Sequence, residues 1–164
     1  MLGQVGAGFI SFMATLDTGR LGLGAACLGG AEAALDAMCR YAAGRSQFGK
    51  PIGEKQSIQW LIANTATEVE ALRSLVYRTA WLVDTHQPYT KEAGMCKLFG
   101  SEVASKAIDR AVQVHGALGY SRDFPLERMW RDARIAEIFE GTNEVQRIVI
   151  ASNVLQPYGL RVRP

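Results

Sequence analysis

Apolar residues recur along this chain at steps of three, four and seven, which is the spacing of one helix face; no segment alternates as a half-buried strand would. Leu21, Ala25, Leu28, Leu35, Met38 and Ala42 form the first such stripe, on a helix that Asp17 or Thr18 can cap and that runs to about Arg45. Gly22, Gly24, Ala25, Ala26, Gly29 and Gly30 make this helix weak by propensity. Packing must therefore hold it, and its small side chains would let another helix or a ligand come close to the backbone. A loop follows at Phe48-Gly49-Lys50-Pro51-Ile52-Gly53. A second helix is predicted from about Gln56 to Asp84, with Ile58, Ile62, Val69, Leu72, Val76, Ala80 and Val83 on one face. A third runs from about Thr90 to His115, with Ala93, Cys96, Gly100, Val103, Ala107 and Val114 aligned. A fourth starts near Asp123, with Pro125 in its first turn, and ends near Phe139. Thr142 can cap a last helix reaching about Leu155.

The pattern predicts an all-α, antiparallel, four-helix-bundle-like domain with no sheet, in which three helices of about 25 residues span roughly 35–40 Å each. Residues 1–15 read as a connector from an upstream domain, 16–157 as the bundle, and 158–164 as a tail. Arg161-Val162-Arg163 is expected to be a solvated end.

Composition narrows the function classes. At 164 residues with 48% hydrophobic and 21% charged positions, the chain suits one globular domain. A net charge of +2 with scattered basic residues argues against a nucleic-acid partner. Cys27, Cys39 and Cys96 have no ligand-like spacing and sit in apolar helical stretches, as small hydrophobes in a reducing compartment do. His86 and His115 lie far apart, so no metal site is expected. No stretch reads as the roughly 20 apolar residues of a membrane span, so no membrane insertion is expected, nor does Met1-Leu2-Gly3-Gln4 read as a signal peptide.

Three segments offer chemistry. Ile138-Phe139-Glu140-Gly141-Thr142-Asn143 sets a carboxylate in an apolar context at the kink between two helices; it is either a functional acid or a solvent-facing residue near a helix end. Arg45-Ser46-Gln47-Phe48-Gly49 offers a cation for a phosphate and a ring for stacking, or else a helix-end charge and a loop anchor. Gln113-Val114-His115-Gly116-Ala117-Leu118-Gly119-Tyr120 offers backbone amides to an anion, or is an ordinary helix stop.

In this order and spacing the segments resemble the acyl-CoA dehydrogenase family, over nearly the whole chain from Gly6 to about Leu155. Leu16-Asp17-Thr18-Gly19-Arg20 and Arg131-Asp132-Ala133-Arg134-Ile135 add to the likeness. The resemblance implies the C-terminal helical domain of a flavoenzyme whose other parts are a helical N-terminal domain and a β-domain. It implies tetramers built from pairs of dimers, with FAD between the β-domain and this one and its adenosine end reaching a neighbouring subunit.

By that resemblance Glu140 is the base that removes the substrate's α-proton while the β-hydrogen leaves as hydride to the flavin. Its backbone N–H polarises the thioester carbonyl. Gly141 meets the acyl chain, and Thr142, Asn143 and Glu144 lie at the helix start facing the cofactor. Arg45 pairs with the FAD pyrophosphate across the dimer, accompanied by Ser46, Gln47 and Phe48; Lys55 and Gln56 make further cofactor contacts. Gln113, Val114, His115, Gly116 and Ala117 surround the adenosine half, Ala117 standing where a glycine is common. Asp17, Thr18, Gly19 and Arg20 match a stretch touching the CoA-bearing substrate. One subgroup carries its base just before the equivalent of Arg20; here that residue is Gly19, which leaves the role to Glu140.

The implied partners are an acyl-CoA substrate, a second copy of the chain, and electron-transfer flavoprotein as acceptor, in a bacterial cytoplasm or a mitochondrial matrix. No β-domain is encoded in these residues, so this domain alone is expected to bind FAD weakly and to turn over no substrate. A non-catalytic helical assembly module and an acyl-CoA oxidase are the competing readings.

Overall fold

The structure, a computed structural model, describes residues 3–160. Met1, Leu2 and the Arg161-Val162-Arg163 tail lie outside them. Three long helices, α1 (Gly8–Gly44), α2 (Gln56–Asp84) and α3 (Thr90–His115), form the body, as their apolar spacing predicts. A single turn, α4 (Ala117–Tyr120), and two shorter helices, α5 (Leu126–Ile135) and α6 (Asn143–Leu155), complete the described chain.

The order is up-down-up. Glu32 of α1 meets Arg73 of α2, and Thr65 and Glu68 of α2 meet Arg110 of α3, so α2 runs against both neighbours. Asp17 meets Thr90 and Tyr41 stacks on His115, so α1 and α3 run side by side in the same direction. Along this pair the glycines carry the packing. A Cβ on Gly24 would fall 2.8 Å from the Cys96 Cβ, and one on Gly100 would fall 3.2 Å from the Gly24 Cα. The core line of α1 therefore passes through Gly24, Leu28, Ala31, Ala34, Met38 and Ala42; Ala25, counted on the stripe from its spacing, is exposed. In α3 every residue of the expected stripe is buried.

Four sequence expectations are corrected. First, α1 starts at Gly8 rather than at a cap on Asp17 or Thr18, because nothing in residues 9–16 breaks a helix and Asp17 spends its carboxylate on Arg20 and Thr90. Phe9, Ile10 and Phe12 on this leading end stand exposed. Second, the expectation of no sheet gives way to a small antiparallel ladder, Ser46–Gln47 against Lys50–Pro51, in the loop after α1. Phe48 and Gly49 between them both have positive φ (54° and 78°), the geometry of a two-residue turn that follows strand twist. Third, α5 spans Leu126–Ile135 with Pro125 at its cap, because Asp123 is engaged with Ser121 and the chain unwinds before Glu140. Fourth, α1 is, by length and composition, apolar enough to cross a membrane, owing to its run of alanine, glycine and leucine. In this fold that apolarity serves packing: Ala31, Ala34 and Met38 are fully buried.

Candidate active site

The residues singled out from sequence gather at two places. One is the start of α3 beside residues 17–20 of α1; the other is the far end of both helices.

At the first, the link between α5 and α6 turns back over α1. Glu140 and Gly141 both take positive φ, 58° and 87°, a region in which glycine is at ease and glutamate is strained by roughly 1–3 kcal/mol. The Glu140 backbone carbonyl accepts from Arg20 Nε at 3.3 Å and from Gln146 Nε2 at 3.3 Å, and the Gly141 carbonyl accepts from Gln146 Nε2 at 3.2 Å. Arg20, 3% exposed, is itself held by Asp17 at 2.9 Å, whose other oxygen accepts from Thr90 at 2.6 Å. Thr18 shares a hydroxyl hydrogen bond with Tyr89 at 3.0 Å. The Glu140 carboxylate rests on the α-carbon of Gly19, where a Cβ would lie 2.8 Å from Oε2. Oε2 is buried and has no hydrogen-bond partner. Among the described residues the Glu140 N–H meets no acceptor.

Helix α6 begins directly afterwards. Thr142 accepts from the Val145 N–H, the cap expected from sequence. Asn143, expected to face a cofactor, is instead buried beneath the helix start, with Oδ1 accepting from Lys97 Nζ at 2.7 Å and from the Ser101 hydroxyl at 3.2 Å. Burial pushes the Lys97 ammonium below its ordinary range, and Cys27, Glu137 and Glu144 pull it partly back. Glu144 is exposed; its own backbone N–H, and then the Thr142 hydroxyl, hold its carboxyl below the usual range. Lys97 and Gln146, both 0% exposed, escaped the sequence reading. The only signal was a polar residue in core register, one turn after Ala93 for Lys97 and one turn before Ile150 for Gln146.

At the far end of the bundle, Arg45, Gln47 and Lys55 converge with Gln113, Val114, His115, Gly116 and Ala117 around a cavity of about 480 Å³. The hairpin brings the first group over the end of α3. His115 Nδ1 lies 2.8 Å from the Ala111 carbonyl, which makes that nitrogen the donor, and its ring stacks on Tyr41 at 4.1 Å. Gly116 turns the chain with φ of 62°. Ser46 and Gln56 do not line this cavity, and Phe48 is 94% exposed with Lys55 Nζ 4.7 Å from its ring centroid. A cation pair beside an open backbone turn and a stacked aromatic pair suits the anionic, planar half of a dinucleotide. No cluster of metal-ligating side chains occurs among the described residues. Arg20 lies on α1 and Arg45 directly follows its last residue, so at 1.5 Å per residue the two places are on the order of 35 Å apart.

Comparison with known proteins matches residues 6–155 to the family described as acyl-CoA dehydrogenase, C-terminal domain. The chain is 49% identical over 156 residues to acryloyl-CoA reductase (NADH) of Anaerotignum propionicum, covering 95% of this chain and 40% of that protein. It is 48% identical over 158 residues to the mitochondrial short-chain specific acyl-CoA dehydrogenase of Bos taurus, covering 96% of this chain and 38% of that one. Among solved structures, butyryl-CoA dehydrogenase of Megasphaera elsdenii superposes with a TM-score of 0.93 at 44% identity, over 94% of this chain and 40% of its own.

Proposed function

Since the chain belongs to the acyl-CoA dehydrogenase family as its C-terminal domain, we propose that it is the helical part of an enzyme that dehydrogenates an acyl-CoA thioester to the 2-enoyl-CoA, with Glu140 as the base. The observation that carries this reading is the Glu140 carboxylate: Oε2 is buried, unpartnered and lodged on Gly19, in a backbone conformation glutamate does not choose. A packing module has no use for such an acid, which an apolar residue would replace at lower cost. A carboxylate oxygen without a competing donor is free to meet a C–H of a bound thioester.

Glu140 takes the α-proton; the electron pair of that C–H bond becomes the new double bond as hydride leaves the β-carbon. FAD, when bound, supplies the hydride acceptor. The free Glu140 N–H is available to the thioester oxygen, where negative charge develops. Arg20 and Asp17, matched by resemblance to a substrate-touching stretch, act in this reading through the Glu140 carbonyl that Arg20 holds. Gly141 is matched by resemblance to a residue that meets the acyl chain, while Thr142, Asn143 and Glu144 form the start of α6.

Arg45, Gln47 and Lys55 would hold the pyrophosphate of FAD, with residues 113–117 around its adenosine. The separation along α1 of Arg45 from Arg20, on the order of 35 Å, supports a cofactor shared between two copies of the chain. Electron-transfer flavoprotein is the proposed acceptor, in a bacterial cytoplasm or a mitochondrial matrix.

The test is Glu140→Gln in the full-length protein that carries this chain. Turnover with an acyl-CoA and a dye acceptor is expected to fall by about 10²–10⁴-fold, with flavin content and oligomer size unchanged. Near-normal turnover in this variant would remove Glu140 from the role.

A further inference from the structure

We infer that Gln146 is a positioning residue for the Glu140 base, an inference that rests on the reading of Glu140 given above. Gln146 is fully buried on the opening turns of α6, and its single amide nitrogen bridges two successive carbonyls, Glu140 O at 3.3 Å and Gly141 O at 3.2 Å. These are the two residues with left-handed backbone. The bridge closes over that turn and fixes both peptide planes. The carboxylate over Gly19 and the unpaired Glu140 N–H are thereby held in one relative orientation.

The other half of the amide shows what this costs. Gln146 Oε1 is buried with no partner. Flipping the amide would set Oε1 against two carbonyl oxygens, so the orphaned acceptor is the price of keeping the donor in place. A leucine or methionine would fill the same volume without the orphaned Oε1, but would leave the Gly141 carbonyl without its donor. What glutamine adds is the pair of donor contacts to this turn. The slot is cut to it: a Cβ on Gly141 would lie 2.7 Å from Gln146 Nε2, and one on Gly94 would lie 3.3 Å from Oε1. Two glycines thus flank the amide.

The experiment is Gln146→Met in the full-length protein, with kcat expressed per bound flavin so that a partly folded preparation is still read. Loss of orientation at a reacting group is expected to lower kcat about 10–100-fold. KM for the acyl-CoA stays within about twofold, and the isotope effect on kcat with α-deuterated substrate rises. The melting temperature changes little, since the orphaned Oε1 is removed while the Gly141 carbonyl loses its donor. Gly94→Ala, which crowds Oε1 from α3, is expected to give the same pattern more weakly. A wild-type kcat per flavin in Gln146→Met, or a loss matched by lost flavin, overturns the inference. Glu140→Gln run alongside separates the two failures: if it is inactive while Gln146→Met is normal, only the positioning role falls.

Discussion

Glu140 keeps its place because three neighbours have no side chain where one would intrude. Gly19 lies beneath the carboxylate, and Gly141 and Gly94 lie on either side of the Gln146 amide. An alanine at 19 would come within 2.8 Å of Oε2, so Gly19 is the floor under that carboxylate. The cysteines allow a separate test at this scale. Burial pushes the Cys27 thiol up to about 11, against a nearby Lys97 that lowers it, and Cys96 is likewise raised by burial. Cys39 is exposed. A thiol whose pKa is raised stays protonated and unreactive until pH approaches the raised value. Iodoacetamide at pH 8 is therefore expected to modify Cys39 alone in the folded chain and all three cysteines after denaturation. Folding holds the Cys27 proton, so its contribution to stability is present below about 9 and is lost as pH rises towards about 11. Rapid labelling of Cys27 in the native chain at pH 8 would contradict its burial.

Among the elements, α1 shows how glycine can weaken a helix and still be required by it. Gly24 touches α3 closely enough that a methyl would collide with Cys96, whereas Gly22 and Gly29 have nothing within 4 Å. Gly24→Ala is expected to destabilise the 164-residue chain by about 1–3 kcal/mol through overpacking. Gly22→Ala and Gly29→Ala should each stabilise it by about 0.5–1 kcal/mol through helix propensity. Urea unfolding midpoints measure all three; equal shifts of one sign would show that the α1–α3 contact is not as drawn. The element types and the ends of α2, α3 and α6 were legible in their periodicity and in Thr142. The start of α1 was not, because Asp17 has the look of a cap and acts as the counter-ion of Arg20.

For the whole molecule, the two candidate clusters sit at opposite ends of one bundle. The cavity at the Arg45 end is open, while the Glu140 carboxylate has one oxygen buried against Gly19. Exposed Phe9, Ile10 and Phe12 at one end of α1, with Trp60, Tyr77 and Trp81 along α2, are apolar surface that a longer protein or a second copy would cover. The 164-residue chain alone is expected to lose FAD on gel filtration and to reduce no dye with acyl-CoA, read from flavin absorbance and dye bleaching. Stoichiometric flavin together with turnover would show that one copy holds a complete site.

What the sequence determined by itself was the helical class, the extents of α2 and α3 and the three chemistry-bearing segments, because period and motif are local properties of the chain. It also marked Glu140, through an acid set among apolar neighbours at a kink. Only the tertiary structure decided which residues hold that acid. Arg20 and Gly19 reach Glu140, and Lys97 reaches Asn143, across separations in sequence that no periodicity encodes. A buried polar side chain is defined by the partner it meets, and that partner is chosen by how the helices pack.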